Sequence, residues 1–146
     1  MPFRRQASHV IADADAMAVR HGLECLFAQE PLRLLSDDLR GTAEIVMAEA
    51  LNNIVEHAYA DCAGGIEISV DLGDDGLDCT IADHGAPMPN HSLPAGEPHQ
   101  LQDVAELPEG GFGWFLIRSL AQDLQYSRFR DQNYLRFRLP AHSLAI

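Results

Sequence analysis

The sequence predicts an α+β fold, a two-layer sandwich in which a mostly antiparallel sheet carries helices on one face. Two neighbouring segments alternate apolar and polar residues with the period of a strand, and a glycine-containing turn joins them. Three other segments repeat apolar residues at helical spacing. Because such a sheet needs one face covered, the helices are expected to pack together on that face.

The N-terminal part of the chain predicts a short strand followed by a helix. Arg4 to Val10 mixes polar and apolar residues and suits an edge strand. From Ile11 to Gln29 the apolar residues recur at helical spacing, and Pro31 closes the segment because proline interrupts a helix.

A second, longer helix is predicted to start after Ser36. Ser36 offers a capping hydroxyl, and the two acids that follow it suit the positive end of a helix. The apolar periodicity continues to about Tyr59, with Gly41 as its one weak position. The pair Gly64-Gly65 then ends the helical region.

Two hairpins are predicted, one on each side of a long irregular segment. Their strands are 66–72 and 77–83, joined at 73–76, and 124–129 and 134–139, joined at 130–133. Prolines forbid regular structure over most of residues 84–109, apart from a short helical turn at 100–107. A third helix is expected over residues 114–120.

Composition limits the possible functions before any motif is considered. The chain has 146 residues, a formal net charge of −12 and no lysine. This charge would repel DNA or RNA and would attract a basic protein partner. No apolar run reaches the roughly 20 residues of a membrane span, and the N-terminus lacks a secretory signal, so we expect a cytoplasmic protein. The three cysteines form no CxxC pair, so we expect reduced thiols.

The second helix carries the first candidate functional residues. Glu49, Asn53 and His57 follow each other in steps of four and therefore lie nearly in line along the helix. The Asn53 amide oxygen suits a magnesium ion shared with phosphates, and the Glu49 carboxylate suits proton transfer from an attacking hydroxyl. Alone, the same spacing is more typical of the solvated face of an amphipathic helix.

Two glycine-containing segments supply the rest of the pattern. Asp83 ends an apolar strand and Gly85 follows it, so the carboxylate could bind the exocyclic amine of adenine while glycine lets the base approach the backbone. Gly110, Gly111 and Gly113 precede the third helix, where free backbone amides can hold phosphate. Each segment alone suits a turn or a loop; together, in this order, they predict a pocket for a magnesium nucleotide.

From about Leu34 to Leu139 the chain resembles the anti-sigma factor serine/threonine kinases of the GHKL (Bergerat-fold) ATPase superfamily. The resemblance lies in three motifs: Glu49-Ala50 to Asn53 with His57-Ala58-Tyr59, then Asp83-His84-Gly85, then Gly110-Gly111-Phe112-Gly113 with Leu116-Ile117. It implies a single ATPase domain over residues 1–146, with an ATP lid at about 86–109.

The resemblance also implies a role for each motif residue. Asn53 would bind Mg²⁺, Glu49 would be the general base, Asp83 and Gly85 would hold adenine, and Gly110, Gly111 and Gly113 would bind the phosphates of ATP or ADP. Such kinases phosphorylate a serine or threonine of a small anti-anti-sigma (STAS-domain) protein and sequester a sigma factor or similar client. A homodimer is possible, and no contact with nucleic acid or membrane is expected.

Two other functions stay open at this point. Phe112 replaces an arginine or other polar residue of many relatives, and no lysine or arginine lies between Arg40 and Arg118. This scarcity of cations favours a nucleotide-binding module that sequesters its client with little or no kinase activity. The third interpretation is the catalytic domain of a sensor histidine kinase, although no upstream helix pair with a phosphoacceptor histidine is seen. A threonine common in the family's penultimate strand segment is replaced here, in the region of Asn133 and Tyr134.

Several side chains outside the motifs carry structural expectations. Trp114 is expected to pack in the core, between its helix and the sheet. The arginine pairs Arg128/Arg130 and Arg136/Arg138 alternate along the second hairpin, and we expect them on the polar outer face, paired with the acidic excess.

Overall fold

A computed structural model describes residues 4–95 and 111–141 of the chain. Within these ranges five strands form one sheet in the order β1-β2-β3-β5-β4, and each neighbouring pair is antiparallel. The strands are β1 (Gln6–Ile11), β2 (Ile66–Leu72), β3 (Gly76–Asp83), β4 (Gln122–Phe129) and β5 (Gln132–Pro140), and the α-helices are α1 (Ala16–Phe27), α2 (Asp37–Asn53) and α3 (Gly111–Leu120). The predicted α+β fold with an antiparallel sheet is confirmed.

The hydrophobic core lies between the inner face of the sheet and the helices. On β2, β3 and β5 alternate residues are buried, namely Ile66, Ile68, Val70, Leu77, Cys79, Ile81, Leu135, Phe137 and Leu139. From α2, Val46, Met47 and Leu51 meet this face with no exposed surface. Trp114 of α3 is 4% exposed, which confirms the prediction that it packs in the core.

The first helix starts later than predicted because the strand before it is longer. Ile11 belongs to β1, where it pairs with Ile66 of β2. α1 begins only after Asp15, whose carboxylate accepts a hydrogen bond of 2.7 Å from the Ala18 N–H and caps the helix.

The second helix confirms its predicted cap but ends irregularly. The Ser36 hydroxyl accepts a hydrogen bond of 3.2 Å from the Leu39 N–H. α2 is regular as far as Asn53, and Ile54–Ala58 then forms a π turn. In this turn the Tyr59 N–H donates to the Ile54 carbonyl, five residues back. The helical region therefore ends near Tyr59, as predicted, but its last turn is wider.

The second hairpin is tighter than predicted. β4 and β5 are joined by Arg130 and Asp131 alone, both with positive φ (52° and 64°), which suits a two-residue hairpin turn. The predicted four-residue turn at 130–133 is therefore wrong. Because β5 starts two residues earlier, Asn133 joins the ladder, opposite Arg128 of β4 and Asp83 of β3.

Between β3 and α3 the described residues 84–95 contain only a short 3-10 turn at Pro89–His91, as the prolines predict. The predicted helical turn at 100–107 and the remainder of the predicted lid lie outside the described residues. α3 begins at Gly111, three residues before the predicted start. No helix in the described ranges combines the length and the apolar character that a membrane span requires.

Candidate nucleotide site

Glu49 and Asn53 lie one turn apart near the end of α2. Asn53 is 5% exposed, and its Nδ2 donates a hydrogen bond of 3.0 Å to the Glu49 carbonyl oxygen. This bond fixes the orientation of the amide, so that Oδ1 is the atom left to meet a ligand. The Glu49 side chain is half-buried, and its carboxylate forms no hydrogen bond within the described part of the chain.

Gly113 places the first turn of α3 directly against this pair. A Cβ atom at Gly113 would lie 2.5 Å from Glu49 Oε2 and 3.4 Å from Asn53 Nδ2, so a side chain here would displace the Glu49 carboxylate. The first N–H groups of a helix have no partner inside it and attract anions. A carboxylate, an amide side chain and the first turn of α3 as the structure describes it therefore meet at one place.

A second cluster surrounds the buried carboxylate of Asp83. Its Oδ1 accepts two hydrogen bonds of 2.8 Å, one from the Gly85 N–H and one from Asn133 Nδ2. Burial raises the pKa of Asp83, although both hydrogen bonds and the Arg128 charge act in the opposite direction. Because both donors contact Oδ1, the other carboxylate oxygen is left for a ligand that donates a hydrogen bond.

Gly85 joins this cluster to the end of α2. A Cβ atom at Gly85 would lie 2.5 Å from the Ala58 carbonyl oxygen, which belongs to the π turn. The same carbonyl accepts a hydrogen bond of 2.8 Å from the Ala86 N–H. The chain therefore needs glycine here for a backbone contact as well as for any approach of a base.

Tyr59 completes the junction between the π turn and the turn after β3. Its hydroxyl accepts a hydrogen bond of 2.9 Å from the His84 N–H and donates one of 2.6 Å to the Gly65 carbonyl. Burial raises the pKa of this phenol, against the opposing effect of the hydrogen bond from the His84 N–H. In the His57-Ala58-Tyr59 run, the last two residues thus have clear structural roles, whereas His57 is exposed.

The structure groups the predicted site residues into these two clusters. Glu49, Asn53 and Gly113 are in contact, and Asp83 and Gly85 share a hydrogen bond. Gly111 is the first residue of α3, and Gly110 lies outside the described residues. His57 does not continue the line of Glu49 and Asn53 in a regular helix, because the π turn begins directly after Asn53.

Asn133 is a central residue whose contacts the sequence did not indicate. Its Nδ2 donates to Asp83, and at 2.9 Å to the Ala86 carbonyl, while its Oδ1 accepts from Tyr126 and Arg128. One signal could have revealed it, since Asn133 is in phase with the apolar residues of β5 that face the core.

One prediction about the arginines is wrong. Arg128 lies on the inner face of the sheet, with its side chain 21% exposed, and donates a hydrogen bond of 2.8 Å to the Gly85 carbonyl. This charge can lie partly buried because a backbone oxygen and an amide oxygen accept hydrogen bonds from it. Arg138, in contrast, pairs with Asp78 at 2.9 Å, as expected of the outer face, and Arg136 is exposed.

The available groups suit magnesium held jointly with phosphates. Within the described residues no three His, Cys, Asp or Glu side chains converge as a metal site. Asn53 Oδ1 offers a single neutral oxygen on a side chain whose Nδ2 binds the Glu49 carbonyl and lies near Gly113 of α3. Mg²⁺ often takes few protein ligands and completes its shell with water and phosphate oxygens, so this arrangement fits it.

With the fold and the site described, the class of protein follows. Residues 11–139 match the family model described as a histidine kinase-like ATPase domain. The chain therefore belongs to this ATPase family, and the predicted membership of the GHKL superfamily is confirmed. An ATPase domain supports the expected use of ATP.

Among curated proteins the chain is similar to bacterial serine-protein kinases. It is 38% identical over 84 residues to serine-protein kinase RsbW of Bacillus cereus strain B4264. The corresponding proteins of Bacillus thuringiensis subsp. konkukian and Bacillus mycoides are 37% identical over the same length. These matches cover 56% of this chain and 52% of each relative, so the chain spans about half the length of the curated relatives it matches.

Proposed function

We propose that this chain binds Mg·ATP and transfers the γ-phosphoryl group to a serine or threonine of a small anti-anti-sigma (STAS-domain) protein. It sequesters a sigma factor or similar client when that partner is phosphorylated, and thus acts as an anti-sigma factor in a partner switch. The observation that carries the proposal is the contact of Gly113 with Glu49 and Asn53. It makes a base, a metal ligand and phosphate-binding amides available together.

In this proposal the two clusters hold opposite ends of the nucleotide. Asp83 accepts a hydrogen bond from the exocyclic amine of adenine, and Gly85 lies beside the base. The amides of Gly110, Gly111 and Gly113 bind phosphate oxygens. Asn53 Oδ1 holds magnesium, which neutralises phosphate charge when bound.

The Glu49 carboxylate is the proposed general base. It accepts the proton of the incoming hydroxyl while the hydroxyl oxygen bonds to the γ-phosphorus and the bond to ADP breaks. Its half-buried position beside the first turn of α3 supports this role, because the phosphate-binding amides lie within reach of the same carboxylate. The proposal also includes a single ATPase domain over residues 1–146, with residues 86–109 as its ATP lid.

The second candidate is a nucleotide-binding module that sequesters a client without phosphorylating it. Two arginines that follow the irregular segment are engaged with backbone carbonyls, Arg118 with Pro94 at 2.8 Å and Arg128 with Gly85 at 2.8 Å. Each contact occupies part of a guanidinium, which leaves fewer N–H groups to stabilise charge at the γ-phosphate and favours slow or absent transfer.

The test is phosphotransfer from labelled ATP and magnesium to the STAS-domain protein, with the wild type and Glu49→Gln compared. We expect Glu49→Gln to lower the transfer rate by roughly 10²- to 10⁴-fold, the usual contribution of a general base, while ATP affinity measured by calorimetry changes little. Glu44→Gln, an exposed acid earlier on α2, is the matched control and should transfer at the wild-type rate.

The outcomes separate the candidates. ATP binding without any phosphoserine or phosphothreonine would favour the sequestering module. Phosphate on a histidine of the chain itself would favour the histidine kinase interpretation. A wild-type protein that binds no adenine nucleotide at millimolar concentration would contradict all three.

A further inference from the structure

The inner face of the sheet carries one arginine at its polar end. Arg128 pairs in register with Asn133 on β5, and Asn133 pairs in turn with Asp83 on β3, so the three side chains form one row across the sheet. The Arg128 guanidinium donates a hydrogen bond of 2.8 Å to the Gly85 carbonyl and one of 3.0 Å to Asn133 Oδ1. It therefore contacts both residues that donate hydrogen bonds to the Asp83 carboxylate, Gly85 and Asn133.

The contacts of Asn133 determine which way its amide faces. Oδ1 accepts hydrogen bonds from the Tyr126 hydroxyl and from Arg128, and Nδ2 donates to Asp83 and to the Ala86 carbonyl. Turning the amide over would place its N–H groups against two donors and its oxygen against two acceptors. Arg128 and Tyr126 therefore fix the orientation in which Asn133 donates to Asp83.

The charge of Arg128 also acts on the Asp83 carboxylate. In the described residues the charged or titratable groups that influence Asp83 are Arg128 and the neighbouring His84, with the phenol of Tyr59 close by. Arg128 and the hydrogen bond from Asn133 both lower the pKa of Asp83 against the opposing effect of burial. Without them the carboxylate would be protonated at a higher pH.

A plain structural ion pair does not account for Arg128. Among the described residues its ion-pair partner is Asp131, whose Oδ1 lies 3.9 Å from the guanidinium and whose side chain is fully exposed. An exposed pair at this distance contributes little to stability. The short contacts of Arg128 are instead with the groups that hold Asp83 and Gly85.

We propose that Arg128 is a positioning residue for adenine recognition, acting through Asn133 and the Gly85 carbonyl. It orients the Asp83 carboxylate and the Gly85 turn without touching the nucleotide. Tyr126 assists from the other side, because its hydroxyl donates to Asn133 and accepts a hydrogen bond of 3.0 Å from the Met88 N–H. This inference rests on the proposed nucleotide site.

The experiment compares Arg128→Met with Arg136→Met by calorimetric titration of ATP between pH 5 and pH 8, together with the melting temperature of each variant. Arg136 is an exposed arginine on the outer face of β5 and is not among the groups that shift the pKa of Asp83, so its removal changes the net charge equally without affecting that carboxylate. We expect Arg128→Met to weaken ATP binding about tenfold, the loss of one hydrogen bond from a charged group. We also expect its loss of affinity in acid to begin at a higher pH than in the wild type.

Arg136→Met should match the wild type in both affinity and pH profile. Arg128→Lys should restore only part of the affinity, because the lysine side chain is shorter and its ammonium lacks the fixed planar geometry in which Arg128 Nη1 donates to both acceptors. Should Arg128→Met fail to fold, Tyr126→Phe removes the other donor to Asn133 without leaving a large cavity. It should move the acid limb in the same direction, with a smaller loss of affinity of about threefold.

Two failures can be told apart. A wild type that does not bind ATP contradicts the proposed function itself. The positioning role alone is overturned if the wild type binds ATP and a folded Arg128→Met variant has the same affinity and the same pH profile. If Arg128→Met is unfolded, the same result for a folded Tyr126→Phe variant overturns the role. A lower melting temperature with unchanged binding also overturns it, because that result assigns the residue to stability only.

Discussion

The two ends of the candidate nucleotide site are built in different ways. At the adenine end, Asp83 Oδ1 already has two donors, and Asn133 has partners on both faces of its amide. At the phosphate end, Asn53 forms one bond to its own helix, and the Glu49 carboxylate forms none among the described residues. The first end is held by hydrogen bonds from other segments of the chain, whereas the second keeps a carboxylate that has no hydrogen bond within the described residues.

This difference has an energetic reason. The adenine end lies in the last row of the sheet, where buried polar groups must be paired inside the protein. The phosphate end faces the amides of α3, whose natural partner is an anion. We therefore expect substitutions at the adenine end to change affinity, and substitutions at the phosphate end to change transfer more than stability.

The largest expected effect on ATP affinity comes from Asp83→Asn. The new amide oxygen can still accept from Gly85 and Asn133, but an N–H group would replace the oxygen that we propose for adenine. ATP affinity should fall by roughly 10- to 100-fold, the value of a hydrogen bond to a charged group. Titration calorimetry at pH 7 measures it.

The same variant should not lose stability. Burial raises the folded-state pKa of Asp83, so its favourable contribution is present below the ordinary pKa and is lost as the pH rises through the raised one. At neutral pH the ionised carboxylate opposes folding, and Asp83→Asn removes that cost. Urea unfolding should give a free energy of unfolding equal to or above the wild type; a clear decrease would show that Asp83 serves the fold instead.

The second prediction concerns the metal ligand. Asn53→Ala should weaken the magnesium-dependent part of ATP binding by at least about tenfold, because even residues that only support a metal ligand cost this much when removed. The measurement is ATP titration with Mg²⁺ and with excess chelator. Asn52→Ala is the control, since Asn52 is exposed on the same helix. Equal affinities for Asn53→Ala with and without the chelator are expected, and a retained magnesium effect would argue against the assignment.

The third prediction separates packing from catalysis at Gly113. In Gly113→Ala the new methyl group would meet the far end of the Glu49 side chain, which can move at little cost to stability. A displaced base should lower the transfer rate, by up to about 100-fold for a shift of 1 Å, while the melting temperature changes little.

The control for Gly113→Ala is Gly41→Ala, for which we expect the smallest effect. At Gly41, in the middle of α2, a Cβ atom would meet nothing within 4 Å. Gly41→Ala should therefore stabilise the protein by about 0.5–1 kcal/mol, the helix propensity difference, and leave transfer unchanged. If both alanine variants lower transfer alike, the contact between Gly113 and Glu49 is not the cause.

Sequence patterns were sufficient for the sheet, the helices and the location of the motifs. Residues 66–83 alternate so regularly that both strands and their turn are correct, and the Ser36 cap follows from local chemistry. Glu49, Asn53, Asp83 and the glycines belong to motifs with fixed spacing, so their proximity could be expected from the family resemblance.

The inward direction of Arg128 was not predicted because its charge favours solvent, although Leu124 and Tyr126 alternate in phase with it along β4. By charge alone Phe129 would lie inside and Arg128 outside, yet Phe129 is 63% exposed and Arg128 lies on the inner face. The reversal depends on acceptors supplied by Gly85 and Asn133, distant in sequence, and on the two-residue turn that sets the register. Likewise, nothing in the composition of residues 54–58 marks a π turn, which is visible only in its hydrogen bonds.

The wide last turn of α2 has a consequence for anyone who would move this pocket to another scaffold. The Ala58 carbonyl accepts a hydrogen bond from the Ala86 N–H, and the lack of a side chain at Gly85 leaves space for this contact. A regular helical ending would change the direction of this carbonyl, and a larger residue at position 85 would obstruct it. The turn from Asp83 to Gly85 and the π turn at Ile54–Ala58 therefore form one transferable unit. Grafting either without the other would leave the Ala86 N–H unpaired beside the proposed adenine site.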